Sequence, residues 1–201
     1  MTEKLGKIEK PEAKQFESGR KLYFVPLIYC GVDPPTDFHE IYLKYWKQVE
    51  QHVGDMELKL GNIDRIYHEL VPEGGNSGCE SIKELSQESY QIIKLRLDKG
   101  ASLEVLENIE LLTEFMDWSK CLAAGLQNQQ VFTTVYESYN QSSKKRNQHI
   151  AGQIDTTLKA DETAILLMRE GHQVQFPQDI QIFYISPPAL DEIKRWLRDQ
   201  K

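Results

Sequence analysis

Two short runs, apolar almost from end to end, limit the folds open to this chain. They are residues 21–29 (KLYFVPLIY) and residues 163–168 (TAILLM). A strand with one wet face alternates apolar and polar side chains, so a run that is apolar throughout has to be covered on both faces. Both runs therefore predict buried strands of a parallel sheet with helices on either side. Residues 180–185 (IQIFYI) read as a further strand, and so do residues 63–71 (IDRIYHELV), where Ile66, His68 and Leu70 alternate with Tyr67, Glu69 and Val71. Pro26 donates no ladder hydrogen bond, so it marks either a bulge or the last paired residue of its strand.

Helical spacing fills the rest. Phe38, Ile41, Tyr42, Tyr45, Trp46, Val49 and Val53 make one apolar face, with Asp37 as cap and Gly54 and Gly61 bracketing the end. Strand, helix and strand of this size form a βαβ unit with parallel strands and a right-handed crossover. A Gly-rich loop follows at residues 72–78. The middle then reads as helices only. One carries Ile82 to Leu95, one follows a cap at Ser102, and one opens at Val131 and either stops or continues into the Ile150 to Leu158 segment. Ser186, with Pro187 and Pro188, starts a last helix. The predicted fold is α/β: a small, mainly parallel sheet flanked by helices, with a central all-helical insertion over about 79–157. A single domain spans residues 20–201, behind a mobile charged tail over residues 1–19.

Composition excludes several classes. A chain of 201 residues that is 40% hydrophobic can bury a sizeable core. Its net charge of −7 argues against nucleic acid as a partner, since phosphate binding needs clustered cations. Cys30, Cys79 and Cys121 are odd in number and widely spaced, which fits neither a disulfide framework nor a zinc site. No apolar run approaches the roughly 20 residues needed to span a bilayer, and the charged N-terminus is unlike a signal peptide. The expected location is cytoplasmic.

Polar residues that could work together gather around the strand ends. His172 lies in a polar turn just after a buried strand, where a general base or metal ligand would sit. Arg169 shares that turn. Glu69 ends a short strand and could act as acid/base, anchor a cation or hold an arginine. Arg146, read as starting a helix, could clamp an anion or pair with Glu69. Tyr29 and Cys30 end the first strand. The plainer readings are a surface histidine, an edge-strand carboxylate, an exposed cation beside Lys144 and Lys145, and a small buried cysteine. Residues 74–78 (GGNSG) lack the spacing of a phosphate-binding loop.

Taken in order, VPLIY (residues 25–29), DRIYHELVPEGG, RNQHIAGQI and AILLMREGH resemble the TraB/ChaN/Tiki group of α/β proteins, several of which are proposed metal-dependent hydrolases. The first and last of these stretches lie where that group has strands ending in glycine-x-x-histidine. The second lies where it has a strand ending in glutamate, and the third where it has an arginine-led helix. The resemblance implies functional roles for Glu69, Arg146 and His172 and covers about half the chain. Tyr29 stands where the first histidine would be, Pro26 where its glycine would be, and Arg169 where the second motif has its glycine.

The leading expectation is a hydrolase-like scaffold with an eroded active site. In it Glu69, Arg146 and His172, with Tyr29 and Arg169, bind a small anionic or peptide-like ligand. One alternative is an active hydrolase with Glu69 and His172 as acid and base, for which a divalent metal at those two residues is an option but not the favoured one. Another is an interaction module without catalysis, whose aromatic helix faces, such as Tyr42, Tyr45 and Trp46, form a homodimer or a partner face.

Overall fold

The computed structural model describes residues 18–200, so most of the stretch expected as a tail lies outside the described residues. Ser18 and Gly19 are tied to the body: Gly19 N–H donates to Asp161 at 2.7 Å, and the Gln181 amide to Ser18 O at 3.1 Å. Five strands, β1 (Arg20–Pro26), β2 (Arg65–His68), β3 (Ser102–Leu103), β4 (Thr163–Met168) and β5 (Ile180–Tyr184), form one all-parallel sheet in the order β3-β2-β4-β1-β5. The α/β class read from the sequence is thus the one observed. Pro26 is the last paired residue of β1, opposite Met168.

The two apolar runs are central because each strand serves two cores. Ile165 and Leu167 of β4, with Tyr23 and Val25 of β1, face helix α1 (Thr36–Leu60). On the same face lie α2 (Gly75–Leu85), α3 (Gln87–Leu97) and α6 (Pro188–Asp199), which contribute Ile82, Ile93 and Ile193. The alternate residues Ala164, Leu166 and Met168, with Leu22 and Phe24, face Ile150, Ile154 and Leu158 along the end of α5 (Gln129–Thr157). Burying each such aliphatic side chain contributes about 1.5–3 kcal/mol. No helix among the described residues is long and apolar enough to cross a membrane.

Several boundaries differ from those expected. Ser102 caps no helix: its N–H donates to Asp64 O, and Glu104 N–H to Ile66 O, so the segment pairs with the open edge of β2. The next helix, α4 (Ile109–Ala123), starts instead at Asn108, whose side chain accepts from the N–H groups of Glu110 and Leu111. The helical middle is therefore interrupted by a two-residue strand. Gly75 to Gly78 belong to α2 and not to a loop. Ser86 splits the expected Ile82 to Leu95 helix, its hydroxyl capping α3 at Ser89 N–H. The segments opened by Val131 and Ile150 are one 29-residue helix, so Arg146 lies inside α5 and not at its start. Neither Asp37 nor Ser186 caps a helix with its side chain; Pro35 and Pro187 occupy those positions.

The order of strands places the site. From β2 the chain runs outward to β3 through α2 and α3, on the α1 face. From β4 it runs the other way, across β1 to β5, with Val174 and Phe176 packed on the α5 face. Neighbouring strands β2 and β4 thus send their connections to opposite edges on opposite faces. In open parallel sheets a crevice opens outside the carboxyl ends at such a point.

Candidate functional site

Glu69 is the residue directly after β2, and Arg169 the residue directly after β4. The Arg169 backbone N–H donates to Glu69 Oε2 at 2.8 Å, and its Nη2 to Oε1 at 3.0 Å. Arg146 approaches from α5 and gives Nη2 to Glu69 Oε1 at 3.1 Å. A further acidic residue, Glu107, accepts from Arg146 Nε at 3.0 Å and also from its Nη2. Sequence reasoning missed Glu107. Its signal is a parallel with Glu69: each is a carboxylate soon after a paired apolar strand residue, two residues beyond Tyr67 (RIYHE) and four beyond Leu103 (SLEVLE).

The backbone after Glu69 is bent to suit. Leu70 has φ of +68°, the left-handed region that costs a non-glycine residue roughly 1–2 kcal/mol. That conformation aims its N–H at Glu107 Oε1, 3.1 Å away. Glu69, Glu107 and Arg146 are each at most 3% exposed, whereas the Arg169 side chain is 47% exposed. The Phe115 ring lies 4.8 Å from the Arg146 guanidinium carbon, adding a cation–π contact on its flat face.

Two positive and two negative groups thus interlock, and their state follows. Burial pushes the Glu69 carboxyl up, but the hydrogen bonds and charge of Arg169, with Arg146 behind, outweigh it and hold the group below the ordinary carboxylate range. Both its oxygens already accept hydrogen bonds from guanidinium or backbone N–H, which leaves it poorly placed to take a proton from a substrate. By contrast, Nη1 of Arg146 and Nη1 of Arg169 meet no acceptor among the described residues. Both side chains line a cavity of about 250 Å³ with Glu69 and His172.

His172 is half-buried between the rings of Phe24 and Phe176, at centroid distances of 4.9 and 5.5 Å. Burial holds its imidazole below the usual value despite the charge of Glu69. The Val174 N–H donates to its Nδ1 at 3.3 Å. A nitrogen that accepts carries no proton, so the neutral ring carries its hydrogen on Nε2. At neutral pH His172 presents a donor. Tyr29 stands behind this group and does not line the cavity; its hydroxyl is buried with no partner among the described residues. Burial, and then Glu69, push its ionisation upward, so it stays a phenol.

The four sequence-predicted residues Glu69, Arg146, Arg169 and His172 therefore share one cavity, with Tyr29 adjacent. The donor set does not fit a divalent cation: Glu69 is engaged by two guanidinium groups whose charge would repel the ion, and the His172 Nδ1 lone pair is taken up by the Val174 N–H. The described residues contain no cluster of three or more His, Cys, Asp or Glu side chains placed to hold a metal. No protein-family model matches the chain, and no curated protein or solved structure matches it either.

Proposed function

We propose that this protein binds a small anionic ligand in the cleft outside β2 and β4, on a hydrolase-like scaffold whose acid/base pair has been given over to binding. The observation that carries the reading is the double engagement of Glu69. By accepting from Arg146 and Arg169 at once, it fixes two guanidinium groups beside one another, and the Nη1 of each, in a side chain that lines the cavity, has no acceptor among the described residues. Two such donors match a carboxylate or phosphate. The Nε2–H of His172 adds a neutral donor on the same wall. The buried pair of Glu69 and Glu107 balances the arginines, so the site attracts an anion by directed hydrogen bonds more than by net charge.

The test is a thermal-shift titration with acetate and with inorganic phosphate, on the wild type and on Arg169→Ala. Arg169 is half-exposed, so its truncation should leave the fold intact. A ligand at about 100 times its dissociation constant stabilises by about 2.7 kcal/mol. The expected result is stabilisation of the wild type by at least one of the two anions and its loss in Arg169→Ala. An equal response in both proteins, or none in either, would overturn the reading.

A further inference from the structure

The cavity that holds Arg146 and Arg169 does not end at His172. A larger hollow of about 770 Å³ adjoins it and shares Asn140, Ser143, Asn147, His172 and Gln173 with it. One wall is a face of α5, the other the loop between β4 and β5, and the hollow ends near Ala151 and Gln175. On α5 the lining positions are 140, 143, 144, 147, 148 and 151, which is the spacing of a single helical stripe. At 1.5 Å per residue this stripe is about 16 Å long. An extended chain rises about 3.3 Å per residue, so the groove is long enough for roughly five residues.

The groove is lined by carboxamides: Asn140, Asn147 and Gln148 on the helix, Gln173 and Gln175 on the loop. A carboxamide carries both donors and an acceptor, which matches the alternating N–H and C=O of a peptide backbone. Asn147 sits at the junction of the two hollows and is only 9% exposed. Its amide nitrogen reaches Ser143 at 3.5 Å, and its Oδ1 accepts no hydrogen bond among the described residues. Lys144 is the single cation of the stripe, too little for a polyanion. An alkyl chain would leave the amides unmatched.

We infer that, granted the anion site proposed above, this groove holds a short extended peptide whose free C-terminal carboxylate lies against Arg169 and Arg146. The amide stripe then reads the backbone, and the specificity for chain ends comes from the two guanidinium groups.

Three probes test this on the full chain by thermal shift. They are acetate, a pool of N-acetylated pentapeptides of randomised sequence with free carboxylates, and the same pool amidated at its C-termini. The free-acid pool should stabilise the protein at a total concentration about tenfold below that needed with acetate, a factor equivalent to roughly 1.4 kcal/mol. The amidated pool should give no shift, and Gln148→Ala/Gln175→Ala, which alters two exposed side chains, should shrink the advantage of the free pool over acetate. If acetate binds and the free pool does no better, the anion site stands and the peptide inference falls. A response to the amidated pool equal to that of the free pool also overturns the inference. If acetate, phosphate and both pools are all without effect, the anion site falls with it.

Discussion

Replacing Arg146 with methionine would leave Glu69 and Glu107 buried together, with only the half-exposed Arg169 to offset them. Breaking a buried ion pair by removing one partner costs about 3–5 kcal/mol, and that is the loss expected for Arg146→Met in urea unfolding. Because the cost comes from the stranded carboxylates, adding Glu107→Leu should recover part of it. A loss under about 1 kcal/mol for the single variant would show that the buried cluster does not hold this edge together. A second buried group sets the acid limit. His68 is 1% exposed; its Nδ1–H donates to Glu69 O at 2.7 Å, and Ser89 approaches its Nε2 at 3.2 Å. Burial lowers its pKa to about 4, against an ordinary 6.5. The unfolded chain therefore binds a proton below about 6.5 that the folded chain takes up only near 4, so stability falls as pH drops through that window. The full linkage is about 3 kcal/mol. Urea midpoints between pH 7 and 4 should decline less steeply for His68→Asn than for the wild type; parallel curves would refute the assignment. At this scale the sequence disclosed Glu69, Arg169 and His172 at or just beyond strand ends, and Arg146 as a partner for Glu69, though at a helix start and not inside α5. It hid Glu107 because the periodicity of Leu103, Leu106 and Leu112 matches a helix as well as it matches a strand end followed by a cap.

Three glycines inside helices separate propensity from packing. Gly152 in α5 and Gly54 in α1 have nothing within 4 Å of where a Cβ would stand. Gly78 in α2 is different: its Cβ would collide with the Glu73 carbonyl oxygen and lie 2.9 Å from Leu103 Cδ2. The backbone of the β2–α2 turn and the side chain of β3 thus pack directly on this helix, and only a residue without a side chain fits. Gly152→Ala should raise stability by about 0.5–1 kcal/mol, the ordinary helix gain. Gly78→Ala should lower it by more than about 1 kcal/mol, since overpacking outweighs that gain. Chemical denaturation of the two variants decides the matter, and a stabilising Gly78→Ala would contradict the packing described. The same contact explains which elements were legible. β1 and β4 could be read because both their faces are buried, and α1 because its face is wide and regular. The start of α2 reads as a loop, since Gly-Gly-Asn-Ser-Gly has low helix propensity and is made helical by tertiary packing. β3 has two paired residues, too few to show any period, and exists because the edge of β2 offers it carbonyl acceptors.

Across the whole molecule, burial is unevenly spread. Every residue of β4 is buried, and β1 is buried from Lys21 to Pro26. The antiparallel pair of α4 and α5 has its buried residues toward the sheet: Leu112 and Phe115 on α4, and Ser142, Arg146, Asn147, Ile150 and Ile154 on α5. From residue 116 to 141 no side chain is buried, and Met116, Val131, Phe132 and Tyr136 are each at least 40% exposed. The far end of this pair is held mainly by its own helical hydrogen bonds, the Asn128 cap and the Phe132–Tyr136 ring contact at 5.9 Å. Segments with few buried apolar contacts open at a free energy well below that of the whole fold. Amide hydrogen exchange should therefore show two levels. Amides of β1 and β4 should exchange only through global unfolding. Those of residues 118–138 should exchange at least about 100-fold faster, an opening easier by roughly 2.7 kcal/mol or more. Around Arg146 protection should rise steeply along α5, because there the helix meets Glu107, Glu69 and the sheet. A ligand held by Arg146 and Arg169 would slow exchange on the sheet side of that boundary and leave residues 121–138, which do not line the cavity, unchanged. If residues 118–138 instead exchange as slowly as β4 in the free protein, the tip is not an independent unit but is stabilised by contacts beyond those of the single chain.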